Sequence, residues 1–469
     1  MNRLSRFRHK RTDVDPVDEV LPLGQLGALG IQHVLAMYAS AVAVPLIIGG
    51  ALKLSAADLQ YLISACLLTS GIATLLQTIG FWKVGVRLPI LQGTAFAAAS
   101  TISAIGIHAG GGAGSLPLVF GAVMFGGVVV IALAPFFSAL VRFLPPVVTG
   151  SVITVIGLSL LPVAVRWGRG QPQTADFGSA ENLALAGGTL LLVLLIQRFA
   201  TGFVSRISIL IGLVLGTAAA VPLGVTNFDR VADAPVFGVS TPFHFGTPQL
   251  TISAAVSIVI ILLVIMVEVT GCMIAVGDMV GRKVHSADIA RGLRADGLGT
   301  AVGGLLNSFP YGAYVSNLGL VALTGVRSRF VVAAAGAMLL ILGLFPKVGA
   351  LAAAVPLPVL SGAGLVLFGT VAASGIRTLS QVSLADNRNL VIVAVAVGFG
   401  LIPLAAPEFY APLPDTVRTV IGEGITASAI AATLLNLLFF HLPWRRQAPQ
   451  AATSDPAPRS AAPDMEVSR

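Results

Sequence analysis

The chain has 469 residues, of which 56% are hydrophobic and only 10% charged, with a formal net charge of +8. Many apolar runs reach about 18 residues, enough to cross ~30 Å of hydrocarbon, so the composition excludes a soluble globular domain and indicates an all-α polytopic membrane protein. The excess of positive charge does not indicate nucleic acid either, because Lys and Arg are spread over short loops and tails and form no aromatic-interleaved basic face.

Arg3, Arg6, Arg8, Lys10 and Arg11 precede Asp13, Asp15, Asp18 and Glu19, and apolar sequence begins only near Leu23. That order is unlike a cleaved leader, so residues 1–23 read as a cytoplasmic tail ahead of a retained helix. Hydropathy, with loops placed at charges and Gly/Pro clusters, predicts fourteen spans. Seven lie near residues 24–50, 57–80, 89–106, 116–140, 145–164, 180–198 and 203–223, and a more polar connection follows at 224–249. Seven more lie near 250–277, 288–306, 309–324, 328–346, 352–373, 388–406 and 416–440, and residues 441–469 read as a disordered tail. With the N-terminus inside, 22 of the 28 Lys and Arg fall on the inner side. The positive-inside rule therefore puts both termini in the cytoplasm, and the cytoplasmic (inner) membrane is the expected location.

An internal repeat gives the same count. Pro146-Val147-Val148-Thr149-Gly150 in span five recurs 212 residues later as Pro358-Val359-Leu360-Ser361-Gly362 in span twelve, and Pro135 matches Pro346 at an offset of 211. Seven is odd, so the second copy (250–440) must be inverted relative to the first (24–223), a 7+7 arrangement common in secondary transporters. Span ten, with Asn307, Pro310, Gly312, Ser316, Asn317 and Gly319, cannot be one continuous helix. Its counterpart, span three, carries Pro89, Gln92 and Gly93. Both are expected to contain a short extended stretch feeding a half-helix, whose N-terminal amides would face a ligand at mid-membrane.

Ionisable residues inside spans are functional candidates because their burial is costly. Glu268, within LLVIMVEVTGCMIAVGD, is the foremost. Asp296 lies in the expected first turns of span nine, where helix capping explains it as readily as function. His33 is compatible with packing or with proton linkage. Glu423, near the outer end of span fourteen, can reach the interface. Cys66 and Cys272 fall in separate spans, which argues against a disulfide or a metal site. Nucleotide, zinc-hydrolase and cofactor fingerprints are absent, so the expectation is no enzyme, no cofactor, and transport driven by an ion gradient. A carboxylate between two sets of amide donors suits a cyclic amide or imide with alternating N–H and C=O.

The segments IQHVLAMYASAVAVPLIIGG (31–50), LPILQGTAFAAAS (88–100), RADGLGT (294–300) and FPYGAYVSNLGLVALTGVRSR (309–329), together with the Glu268 helix, resemble the nucleobase/ascorbate transporter family, closest to its bacterial xanthine and uric acid permeases. The resemblance covers roughly residues 24–440. It implies a core domain of spans 1–4 and 8–11, a gate domain of spans 5–7 and 12–14, a homodimer in the lipid bilayer, H+-coupled uptake of a small-molecule nucleobase and an elevator-like movement. By position it implies substrate contacts from Glu268, Asn317 and Ser316 and from the backbone amides of Phe96 and Val315. His33, Asp296, Cys272 and Gln92 are assigned to proton coupling or site architecture. Three positions depart from the purine-permease pattern: Ser316 stands for Gln, Gly312 for Thr and Cys272 for Asp. Uracil or another nucleobase, a sulfate- or bicarbonate-type anion, and a non-transporting ligand sensor therefore remain as alternatives.

Overall fold

The computed structural model describes residues 15–137, 143–171, 176–226, 228–414, 417–418 and 421–442, and for residues 230, 315, 316, 318, 319 and 323 the backbone alone. Residues 1–14 of the expected N-terminal tail, Arg142 and the tail beyond 442 lie outside it.

Helices longer than eight residues are numbered here in chain order: α1 Leu23–Leu52, α2 Ala56–Thr78, α3 Phe96–His108, α4 Leu116–Leu133, α5 Pro146–Gly168, α6 Ala180–Phe199, α7 Ser208–Ala220, α8 Ile252–Val280, α9 Ser286–Leu305, α10 Val315–Thr324, α11 Arg329–Gly343, α12 Leu357–Leu379, α13 Asn387–Ala405 and α14 Gly424–Asn436. Among the described residues nine helical stretches are long and apolar enough to span a membrane, and a tenth arises if α11 and the short helix Pro346–Ala353, bent 84° from it, count as one. A helix satisfies the backbone of a span within the segment itself, as hydrocarbon requires. The ends obey local chemistry: Ser55, Ser179 and Thr251 cap α2, α6 and α8 with their hydroxyls, and Lys53, Gly281 and Gly325 close α1, α8 and α10 in the left-handed region.

Small residues decide which helices meet, because close approach rather than hydrophobicity drives packing inside a bilayer. Gly71 of α2 faces Gly336 and Leu340 of α11, while Gly343 faces Leu68. Gly127 of α4 faces Gly297 and Ala301 of α9, and Gly157 of α5 faces Ala372 of α12, with Gly375 against Thr154. The resulting neighbours fall into two sets. One holds α1, α2, α4, α8, α9 and α11 with the two half-helices α3 and α10; the other holds α5, α6, α7, α12, α13 and α14. The described end of the N-terminal tail is fastened to the start of α11, where Arg329 donates from Nε to Asp18 at 2.6 Å and Ser328 Oγ donates to the Glu19 carbonyl.

Spans three and ten are each built from a strand and a half-helix. β1 (Gln92–Thr94) and β2 (Tyr311–Ala313) pair antiparallel, with Gly93 opposite Gly312. Beyond the strands, Ala95 N–H bonds the Pro310 carbonyl at 2.9 Å and Tyr314 N–H bonds the Leu91 carbonyl at 3.0 Å. Side chains hold each strand from behind. The Thr74 hydroxyl of α2 accepts from Gln92 N–H at 3.0 Å, and the Thr300 hydroxyl of α9 accepts from Tyr311 N–H at 3.1 Å. The Tyr311 hydroxyl is shared with Thr69, Ser308 and the Cys66 carbonyl, which gives Cys66 a packing role.

Two sequence expectations are corrected. Asp296 sits at mid-helix in α9, not in its first turns, so the end-charge explanation passes to Asp288, whose Oδ2 accepts from His285 N–H at 3.1 Å. Glu423 does not reach the interface; it is 6% exposed and caps α14, accepting from the Thr426 N–H and hydroxyl at 2.7 Å each. α14 begins at Gly424, so Glu423 stands at its N-cap, where the capping bonds hold the carboxylate inside the protein.

A Cβ at Gly93 would overlap the Tyr314 ring, whereas one at Gly312 would meet the Ile265 Cγ2 methyl at 3.2 Å as its nearest neighbour. Gly93→Val is therefore expected to destabilise the protein by about 1–3 kcal/mol through overpacking. Gly312→Ala should lower the melting temperature by less than half as much, as read by thermal unfolding in detergent.

Candidate functional site

Between the two sets of helices lies a cavity of about 540 Å³, within the usual range for small-molecule sites of roughly 300–1,000 Å³. One wall comes from α1, from the strand-to-helix turns at Gly93–Ala97 and Gly312–Tyr314, and from Ile265, Glu268 and Val269 of α8. The opposite wall comes from α5, the start of α7 and α12.

The turns enter the cavity with their donors outward. Ala95 and Tyr314 have extended dihedrals and precede the first helical residues Phe96 and Val315. A helix's first amides have no intrahelical acceptor. In α3 the Ala98 N–H already bonds the Ala95 carbonyl at 3.1 Å, so the amides of Phe96 and Ala97, both lining residues, have no acceptor among the described residues. The positive ends of both half-helix dipoles converge here. The Phe96 ring packs edge-on to Phe368 of α12, 6.2 Å between centroids.

Glu268 is half-buried and faces the same space from α8. Among the described residues its carboxylate has no hydrogen-bond donor and no cation within ion-pair distance. A charge at this depth is costly without a partner, and the cavity leaves room for one.

The other sequence-selected residues are placed around this centre. Asn317 is buried behind the turn, donating from Nδ2 to the Pro89 carbonyl at 2.8 Å, so it ties α10 to the segment before β1. His33 of α1 is buried, and its side chain interacts with that of Asn317. Asp296 lies away from the cavity, accepting from Gln77 Nε2 at 3.0 Å, and Gln77 in turn accepts from Val86 N–H. Cys272 is buried one turn along α8 from Glu268. Gln92 is fully buried, its amide oxygen and nitrogen both without a partner among the described residues, and it does not line the cavity. The Ser316 side chain lies outside the described atoms, and its backbone is in the first turn of α10.

The sequence reading overlooked the second wall. Thr370, Ser374 and Arg377 of α12 and Arg206 before α7 line the cavity, as does Tyr314. A signal was available for α12: positions 370, 374 and 377 are spaced by four and three, which puts a polar stripe on one face of an apolar helix.

Comparison with known proteins agrees with this architecture. Residues 24–409 match the Permease family. The chain is 43% identical to the nucleobase transporter PlUacP of Paenibacillus larvae, over 88% of this chain and 94% of that protein. It is 42% identical to the xanthine permease of Bacillus subtilis, over 89% and 94%, and 41% identical to the uric acid transporter UacT of Escherichia coli, over 91% and 88%. Among solved structures, the transmembrane domain of the cyanobacterial bicarbonate transporter BicA superposes with a TM-score of 0.54 at 15% identity, covering 90% of this chain and 99% of that one. The murine anion transporter Slc26a9 in its inward-facing state gives 0.61 at 14% identity, covering 93% and 73%. At such identities the two structures speak for the fold alone. The family match over most of the chain, with relatives more than two-fifths identical along nearly their whole length, makes this protein a member of the permease family whose motifs it carries, the nucleobase/ascorbate transporters, and thus a permease and not an enzyme.

Proposed function

We propose that the protein is a secondary active transporter that imports a purine nucleobase or oxidised purine, xanthine or uric acid first, together with H+ across the cytoplasmic membrane. The observation that carries this reading is the unpaired Glu268 carboxylate facing the free amides at the start of α3 across one cavity. A planar base with adjacent N–H and C=O groups offers donors to the first and acceptors to the second. Xanthine and urate carry several such pairs. Sulfate offers no donor to Glu268, so the fold likeness to anion carriers does not outweigh this chemistry. The names of the relatives support the same substrate class.

In this reading fourteen spans form a 7+7 inverted repeat. Adding or subtracting seven from each helix number turns the contacts α2–α11, α1–α11, α1–α3 and α6–α12 into α9–α4, α8–α4, α8–α10 and α13–α5, all of which also occur. The bonds from Ala95 to Pro310 and from Tyr314 to Leu91 exchange under the same operation, with Gly93 and Gly312 at its centre. The core is then α1–α4 with α8–α11 and the gate α5–α7 with α12–α14. A site at the seam between the two sets suits an elevator in which the core carries substrate past a gate held in a homodimer. The cavity extends to the exposed Arg206 and Arg377. These lie on the cytoplasmic side by the positive-inside reading, which corresponds to an inward-open form. Glu268, by accepting a proton as well as hydrogen bonds, supplies the coupling, while His33 and Asn317 brace the turn before α10.

Proteoliposomes with an inward-directed pH gradient should accumulate labelled xanthine or urate and lose that accumulation when a protonophore is added; no uptake of either base would overturn the assignment. Glu268→Gln is expected to insert normally and lower uptake roughly 10- to 100-fold, the equivalent of one charge-assisted hydrogen bond. Asn317→Ala should reduce transport and thermal stability together, because its bond to Pro89 is structural.

A further inference from the structure

The cavity holds more charge than the binding of a neutral base requires. Arg377 of α12 and Arg206, at the end of the short helix Gly202–Arg206, both line it, on the wall opposite Glu268. Cations are expected at this end of the molecule for topological reasons alone. Several other basic residues there are engaged: Arg329 and Arg282 pair with Asp18, Arg291 pairs with Asp288, and Arg388 lies over the Phe440 ring. Arg206 and Arg377 have no acidic partner among the described residues. Arg377 also continues the polar stripe of Thr370 and Ser374 toward the cavity floor, which a helix-end charge by itself does not explain. With Glu268 ionised, the described lining carries one net positive charge, which a neutral base leaves uncancelled and a monoanion cancels.

We infer that Arg377 and Arg206 are specificity determinants that favour the monoanionic form of an oxidised purine over neutral bases. The inference rests on the nucleobase reading above and adds the charge state of the substrate to it. The planar fork of a guanidinium suits the carbonyl-rich, charge-delocalised edge of a purine such as urate. Because Arg206 and Arg377 are exposed where they line the cavity, the attraction acts through solvent and is screened by salt. The two arginines make no demand on the fold, since both are exposed and neither bridges two elements.

The test compares urate with xanthine in nanodiscs at one mildly acidic pH, where urate is a monoanion and xanthine is neutral. For the wild-type protein, urate affinity should fall as salt is raised, while xanthine affinity should hold. In the Arg206→Gln/Arg377→Gln double variant, urate should bind about tenfold more weakly and lose its salt dependence, with xanthine changing less than about twofold. Arg377→Lys keeps the charge and should retain the salt dependence. Equal losses for both ligands, or unchanged urate affinity in the double variant, would overturn the inference while leaving the nucleobase reading intact. Wild-type protein that binds neither base would instead overturn that reading, and this inference with it.

Discussion

The fold depends on the need to satisfy backbone polar groups where no water is available. Breaking two membrane spans near their middles exposes amides and carbonyls, each of which costs several kcal/mol if left unpaired in hydrocarbon. Here the two breaks satisfy one another: β1 pairs with β2, and the Ala95 and Tyr314 amides cross to Pro310 and Leu91. The crossing works only because Gly93 has no Cβ where the Tyr314 ring lies. Thr74 and Thr300 then lock each strand to the helix behind it. At α3 the amides left over are those at the cavity, so the pairing that makes the breaks tolerable also creates the binding surface.

Three carboxylates, two buried and one half-buried, show how one side chain serves different ends in this setting. Glu423 accepts from Thr426 and, at 3.3 Å, from Thr101 of α3, and so caps one helix while touching another. Asp296 accepts from Gln77 and helps join α9 to α2. Both have partners within the protein. Glu268 has a cavity in place of a partner, and that difference in surroundings separates a structural acid from one available to a ligand and a proton.

Much of this was legible beforehand. Apolar length identified the helices, and Pro89, Gly93, Pro310 and Gly312 marked the breaks, because these residues disturb a helix whatever surrounds them. Glu268 stood out because a charge in an apolar run is costly in any fold. The sequence was less informative where meaning depends on distance between elements. Asp296 and Glu423 were both misplaced relative to their helix ends, since ends are set by caps and neighbouring packing. Asn317 was expected as a substrate contact and not as a brace for Pro89, a bond across 228 positions of sequence. The second wall went unseen because Arg206 and Arg377 carry the same letter as residues that only set topology.

The sequence by itself thus determined a polytopic helical permease with two broken spans and a central acid, since helix length, helix breaking and the cost of a buried charge are local properties. The tertiary structure alone decided that the breaks pair through Gly93 and Gly312, that Asn317 and Asp296 stand behind the site, and that two arginines face Glu268 across the cavity. Those relations arise from contacts between helices distant in the chain. They depend on which small residues let the helices approach, which no single segment encodes.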